Sequence, residues 1–222
     1  MKKKIFTALG LMTGTSMDGI DLSIIKSDGY SEFTPILNVY CEFDKKLRNK
    51  LVSLRDKIFT IQDLETLSKE IDVLDREITI FHNEIINYKL KDFYDQIDLI
   101  GFHGQTIFHN SKKKISKQLG NGQLLSQLTK KIVINDFRQQ DLTNDGQGAP
   151  LTPIFHKLIT NIMFKKSQIN FPINIVNIGG ITNITHIFNH KYYEEDNFYA
   201  YDIGPGNCLI DEWIRRNSKK KI

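Results

Sequence analysis

One pattern constrains this chain more than any other: a β-rich run, a loop of small residues and a second β-rich run, met near the start and again after position 172. The first copy spans Ile5 to Lys26, with Thr13-Gly14-Thr15-Ser16-Met17-Asp18-Gly19 between its two runs. The second spans Ile173 to Phe188 around Gly179-Gly180, and a further strand follows from Phe198 to Tyr201. β-rich runs broken by glycine and small polar residues read as strands joined by tight loops. Their recurrence is a weak internal duplication, architectural rather than residue by residue.

Between the copies a third strand is expected near Phe33 to Glu42, then a helical region from about Asp44 to Leu90. There Leu64, Leu67, Ile71, Leu74, Ile78, Phe81 and Ile85 recur at spacings of three and four, the pattern of an amphipathic helix packed on a sheet. His82, beside that stripe, reads as a surface or boundary residue. Ile97 to Phe102 is a short strand ending in His103-Gly104-Gln105-Thr106, and Lys131 to Asn135 another ending in Asp136-Phe137-Arg138. Polar residues at strand ends are where α/β folds build sites. After Asp202-Ile203-Gly204-Pro205-Gly206-Asn207 a helix is expected from Cys208 to Arg216. The second copy then stops, so the chain is expected to have a small second domain or to be cut short at its C-terminal end. In the latter case the sheet begun at Ile173 keeps an uncovered apolar face and a free edge.

With 40% hydrophobic and 25% charged residues in 222, the composition is that of an ordinary globular chain. A formal charge of +4, from lysines scattered among acidic residues, implies no nucleic-acid partner. The clusters Lys2-Lys3-Lys4, Lys112-Lys113-Lys114 and Lys219-Lys220-Lys221 read as solvated tails or turns, with phosphate contact the alternative. Two cysteines, Cys41 and Cys208, suggest neither a disulfide framework nor a zinc site, which fits a reducing cytoplasm. The apolar run Ile5 to Met12 is interrupted by Thr13-Gly14-Thr15-Ser16, and no segment reaches the roughly 18 apolar residues of a membrane span. A soluble, unexported protein with no membrane partner is expected.

The first glycine loop lacks the Gly-Lys-Ser/Thr ending of a Walker loop and opens a strand instead of a helix. Its glycines let backbone N–H groups approach an anion, Thr15 and Ser16 add hydroxyl donors, and Asp18 can hold a hydrated Mg²⁺. A plain β-turn at Met17-Asp18-Gly19 explains the same residues. Pairing with the loop at Gly179-Gly180 favours the first reading, because folds of the actin, hexokinase and sugar-kinase type hold ATP between two such loops.

Six blocks carry a more specific resemblance: Met12 to Asp21, His103-Gly104-Gln105-Thr106, Asp136-Phe137-Arg138 with Asp141, Gly146-Gln147-Gly148-Ala149-Pro150-Leu151, Asn177 to Asn183, and Asp202 to Asn207. In this order they resemble the motifs of the anhydro-N-acetylmuramic acid kinases. The resemblance implies an actin/hexokinase-like (ribonuclease H-like) α/β fold of duplicated mixed sheets flanked by helices. Residues 1–134 would form the first domain, and 135–222 a sugar-binding segment with the start of the second. It implies a bacterial enzyme of cell-wall recycling that opens the anhydrosugar with water and phosphorylates it from ATP, giving N-acetylmuramic acid 6-phosphate, with a homodimer as a plausible assembly.

Carried over by position, Asp202 is the expected catalytic base, the alternative being a cap on the following helix. Gly14, Thr15, Ser16, Met17, Asp18, Gly19, Ile20 and Asp21, with Gly179 and Gly180, are the expected contacts to ATP, and Asp18 the Mg²⁺-side carboxylate acting through water. Arg138 would take the sugar's lactyl carboxylate, or pair structurally with Asp136 or Asp141. His103, Gln105, Thr106, Gln147, Gly148 and Asn183 complete the expected sugar contacts, although such strand-end polar groups also serve to satisfy backbone. Two positions depart from the family pattern: Asp145 stands where a glycine is usual, which threatens to crowd its loop, and Ile203 where a threonine is usual. The alternative to an enzyme is a non-catalytic remnant that binds sugar or phosphate through its intact loops.

Overall fold

The computed structural model describes residues 4–190 and 197–218; Lys2, Lys3 and Lys219-Lys220-Lys221 lie outside the described residues. The chain divides into two compact units, Met1–Gly148 and Ala149–Ile222, so 135–148, grouped above with the second segment, sits in the first unit.

In the first unit β1 (Phe6–Met12), β2 (Gly19–Ser27) and β3 (Phe33–Glu42) form an antiparallel meander, followed by α1 (Lys45–Arg55), α2 (Ile61–Thr66) and α3 (Ser68–Lys89). β4 (Leu99–Phe102) adds parallel to β1; a hairpin of β5 (Gln105–Asn110) and β6 (Ile115–Leu119) then leads through α4 (Gly122–Thr129) to β7 (Ile132–Asn135) and α5 (Phe137–Thr143). The resulting mixed sheet has the order β3-β2-β1-β4-β7. Alternation builds its inner face: Ile20, Leu22 and Ile24 of β2 are buried while Asp21 between them is exposed and Ser23 and Ile25 are only partly buried. With Leu9, Leu11, Ile100 and Phe102 they form one core with Leu47, Leu51 and Leu54 of α1 and Ile71, Leu74, Ile78 and Ile86 of α3.

The region expected to be helical from Asp44 to Leu90 is three helices, and side-chain caps mark the starts of the first two. The Asp44 carboxylate accepts the Leu47 N–H at 2.9 Å at the start of α1, and Thr60 with Asp63 forms a capping box at the start of α2. Along α3 the buried stripe runs Ile71, Leu74, Ile78, His82, Ile86; from Leu74 onward it advances in steps of four, which leaves Phe81 and Ile85 only partly buried. His82, expected at the surface or boundary, is therefore fully buried. Its Nδ1–H donates to the Ile78 carbonyl at 2.7 Å and its ring meets Phe102 edge-on, centroids 4.8 Å apart.

In the second unit α6 (Pro153–Lys165) precedes β8 (Ile173–Ile178), β9 (Ile181–Ile187) and β10 (Phe198–Pro205), and α7 (Asn207–Asn217) ends the described chain. The antiparallel sheet has the order β10-β9-β8. Thr185 and Ile187 are buried on the face toward α6, whose His156 Nδ1 lies 2.9 Å from Thr185 Oγ1. The other face is open, with Val176 50% and Tyr199 and Tyr201 each 47% exposed. Both units are mixed α/β, the expected class.

Candidate active site

The first glycine loop joins β1 to β2, with Met12 and Asp21 paired at its base. Met17 anchors it, fully buried with a φ of 55°. Thr15, Ser16 and Asp18 are exposed, and the Ser16 hydroxyl donates to Asp18 Oδ1 at 2.8 Å. Two of its glycines differ in kind. A Cβ on Gly19 would run into the Cys41 carbonyl of β3, so the fold itself excludes a side chain. At Gly14 the nearest atom, Ser16 Oγ, would lie at an ordinary 3.5 Å, so packing places no such demand there. Asp21 has its carboxyl raised above the usual range, first by burial and then by the charge of Asp18.

His103 to Thr106 spans the turn from β4 into β5. Gly104, at a φ of 71°, lies against the Leu119 carbonyl, and its own carbonyl accepts the Thr13 hydroxyl at 2.5 Å and His103 Nδ1–H at 2.7 Å. Gln105 is fully buried; its Nε2 donates to the Gly14 carbonyl at 3.0 Å, while its Oε1 has no partner among the described residues. Thr106 Oγ1 accepts from Gln118 Nε2 at 3.2 Å. Gly104→Ala combines left-handed strain with a steric clash against β6, and is expected to cost about 2–3 kcal/mol, read as a lower urea midpoint.

Arg138, on α5, donates from Nε to His103 Nε2 at 2.9 Å and from Nη1 to the Gly148 carbonyl at 2.8 Å. Asp141 holds the next loop, accepting the Gly148 N–H at 2.7 Å, while Gln147 is exposed. Burial first, and then the Arg138 charge, lower the His103 pKa to about 4, keeping its imidazole neutral. Asp145 does not crowd this loop. It sits at a φ of 66°, a conformation that glycine adopts without strain and aspartate tolerates, and its carboxylate turns outward to Lys114 at 2.5 Å with 86% exposure. Asp145→Gly should move stability by less than about 0.5 kcal/mol, whereas Asp145→Val should cost about 1–2 kcal/mol in a denaturation series.

In the second unit Asn177, Asn183 and Asp202 are directly opposed on β8, β9 and β10, a polar row on the α6 side of the sheet. Asn183 Oδ1 is buried and without a partner among the described residues. Between Asp202 and Gly204 the register shifts, leaving Ile203 as a bulge. The Gly179-Gly180 turn is stitched to the start of α7: the carbonyls of Gly179 and Gly180 accept the N–H groups of Asn207 and Gly206 at 2.7 and 2.9 Å. The N-cap residue of α7 is Gly206, so Asp202 is not its cap. Asp202 is exposed, and its carboxylate has no hydrogen-bond or ion-pair partner among the described residues.

The sequence matches the anhydro-N-acetylmuramic acid kinase family over residues 6–222. The chain belongs to that family. A relative named anhydro-N-acetylmuramic acid kinase from Pelagibacter ubique is 49% identical over 99% of this chain and 56% of its own length. One of the same name from Agrobacterium fabrum is 35% identical over 98% of this chain and 57% of its own. The chain thus spans a little over half the length of these curated relatives. Among solved structures, an exopolyphosphatase-like protein aligns with a TM-score of 0.40 at 14% identity, covering 96% of this chain and 59% of its own.

Within the first unit the structure brings together Gly14, His103, Gln105, Arg138 and Gly148; within the second Asn183 faces Asp202, while Gly179 and Gly180 meet the start of α7. Three residues inside the family's motifs, but absent from the expected contacts, prove integral to these arrangements: Thr13, Asp141 and Asn177. Thr13 and Asp141 hold loop backbone, and Asn177 extends the Asp202 row. Only the tertiary pairing of distant segments distinguishes them from their neighbours. No helix among the described residues is long and apolar enough to cross a membrane.

Proposed function

We propose that this chain converts 1,6-anhydro-N-acetylmuramic acid, water and ATP to N-acetylmuramic acid 6-phosphate in cytoplasmic cell-wall recycling, with its motifs supplying the sugar-side contacts and the first phosphate loop. The observation that carries the proposal is Asp202: a carboxylate in a family motif, exposed, not used as a helix cap, and beside the unpaired acceptor of Asn183. In the proposed reaction Asp202 takes a proton from water as the oxygen bonds to the anomeric carbon. The bond from that carbon to O6 breaks, and O6 takes the γ-phosphoryl group as ADP leaves.

Arg138 is assigned to the lactyl carboxylate, for which a guanidinium is the natural partner. The unpartnered buried acceptors Gln105 Oε1 and Asn183 Oδ1 suit hydroxyl or amide N–H donors of a sugar, since a buried acceptor left unpaired costs about 1–3 kcal/mol. Gly14 to Asp21 are assigned to the nucleotide's phosphates: the absence of a packing reason for Gly14 and the exposed hydroxyls of Thr15 and Ser16 fit that role.

Among the described residues no three His, Cys, Asp or Glu side chains converge on one point, so Asp18 with Asp21 is at most a two-carboxylate site. Such a pair suits Mg²⁺, which keeps phosphate oxygens and water as its other ligands. When bound, the ion would neutralise charge on the phosphates.

The test is direct: purified chain is given the anhydrosugar and MgATP, and sugar 6-phosphate is measured. Product is expected; sugar binding without product would establish the binding-only alternative.

A further inference from the structure

We propose that His103 is a positioning residue for Arg138, fixing the plane of the guanidinium that receives the sugar's carboxylate and tying it to the first glycine loop. The inference rests on the assignment of Arg138 above. Its geometry is independent of that assignment.

The Gly104 carbonyl can only accept, so the nitrogen 2.7 Å from it, His103 Nδ1, carries the proton. Arg138 Nε–H can only donate, so His103 Nε2, 2.9 Å away, presents its lone pair. Both neighbours thus select the same neutral tautomer. A lysine or a protonated histidine at 103 would set donor against donor beside a permanent cation.

Two points then define the guanidinium plane: Nε on His103 and Nη1 on the Gly148 carbonyl, which is itself placed by Asp141 through the Gly148 N–H. A planar group held at two of its nitrogens has one orientation, which is what recognition of a carboxylate requires. The chain of bonds does not stop at His103. The Gly104 carbonyl that orients it also accepts the hydroxyl of Thr13, at the entrance of the first glycine loop. Four segments distant in sequence, around 13, 103, 138 and 148, are therefore held by one run of hydrogen bonds in which His103 alone both donates and accepts through its side chain.

The experiment has two arms. In the first, ¹⁵N NMR of the ligand-free chain at neutral pH should show His103 protonated at Nδ1 and not at Nε2, and a slowly exchanging Arg138 Nε–H whose protection is lost in His103→Leu. A proton on Nε2, or an Arg138 signal indifferent to His103→Leu, overturns the proposal whether or not the chain binds sugar. In the second, affinities are measured for 1,6-anhydro-N-acetylmuramic acid and for 1,6-anhydro-N-acetylglucosamine, which lacks the lactyl carboxylate. His103→Leu should weaken the first by roughly 10–50-fold and the second by less than about twofold, and His103→Gln, which keeps one donor and one acceptor, should restore most of the difference. Equal weakening of both sugars would mark His103 as merely structural and overturn the proposal. A wild-type chain that binds neither sugar refutes the proposed function instead, and the NMR arm still decides the role of His103.

Discussion

Asp202→Asn is expected, under the proposed function, to lower kcat for sugar phosphorylation by roughly 10²–10⁴-fold while changing KM for either substrate by less than about threefold. The exchange keeps the shape and removes the ability to take a proton. It should leave folding intact, because Asp202 is exposed, caps no helix and sits beside a bulge where the ladder is already relaxed. An unchanged urea midpoint, paired with lost turnover, would isolate the chemical role. Full activity in the variant would remove Asp202 as the base, and a large rise in the KM for sugar would make it a binding group instead.

A second large effect is expected from acid. His82 and His103 both have pKa values lowered to about 4, His82 by burial opposed only in part by the Ile78 carbonyl, His103 by burial and then by Arg138. Above pH 6.5 each is neutral in both folded and unfolded chains and contributes no pH dependence. As pH falls from about 6.5 to about 4 the unfolded chain takes up protons that the folded chain refuses, so stability drops through that window. For the fully buried His82 the loss approaches about 3 kcal/mol, and His103 adds a smaller loss of the same sign. Urea midpoints measured between pH 7.5 and pH 4.5 should fall steeply, and His82→Leu should flatten the fall. A wild-type midpoint that is level over that range would show that neither imidazole is held neutral.

Much of the fold is visible in hydrophobic pattern, and the failures have particular causes. β3 and β8 lie at their expected bounds, and α7 within a residue of its expected ends, because each is a β-rich or amphipathic run with clear borders. The hairpin β5–β6 is hidden because His103-Gly104-Gln105-Thr106 looks like the end of a strand, whereas Gly104 is a turn between two. α6 opens with Pro153, which reads as a breaker but occupies a position at the helix start where its missing N–H costs nothing. His82 deceives because a histidine is polar by composition, yet one intrahelical hydrogen bond lets it enter the core. For the site, family motifs name candidate residues but not their partners. Thr13 meets Gly104 across 91 positions and His103 meets Arg138 across 35, and no local pattern encodes such pairings.

The bulge at Ile203 bears on how this sequence is free to drift. Each paired residue of β10 answers to a residue opposite it on β9, but Ile203 has no such counterpart and is 55% exposed. An isoleucine there, where the family resemblance implies a threonine, therefore meets no resistance from the sheet. The fold of this chain would register a substitution at that position no more than the change of a surface residue, so the position is free to vary without cost to the sheet.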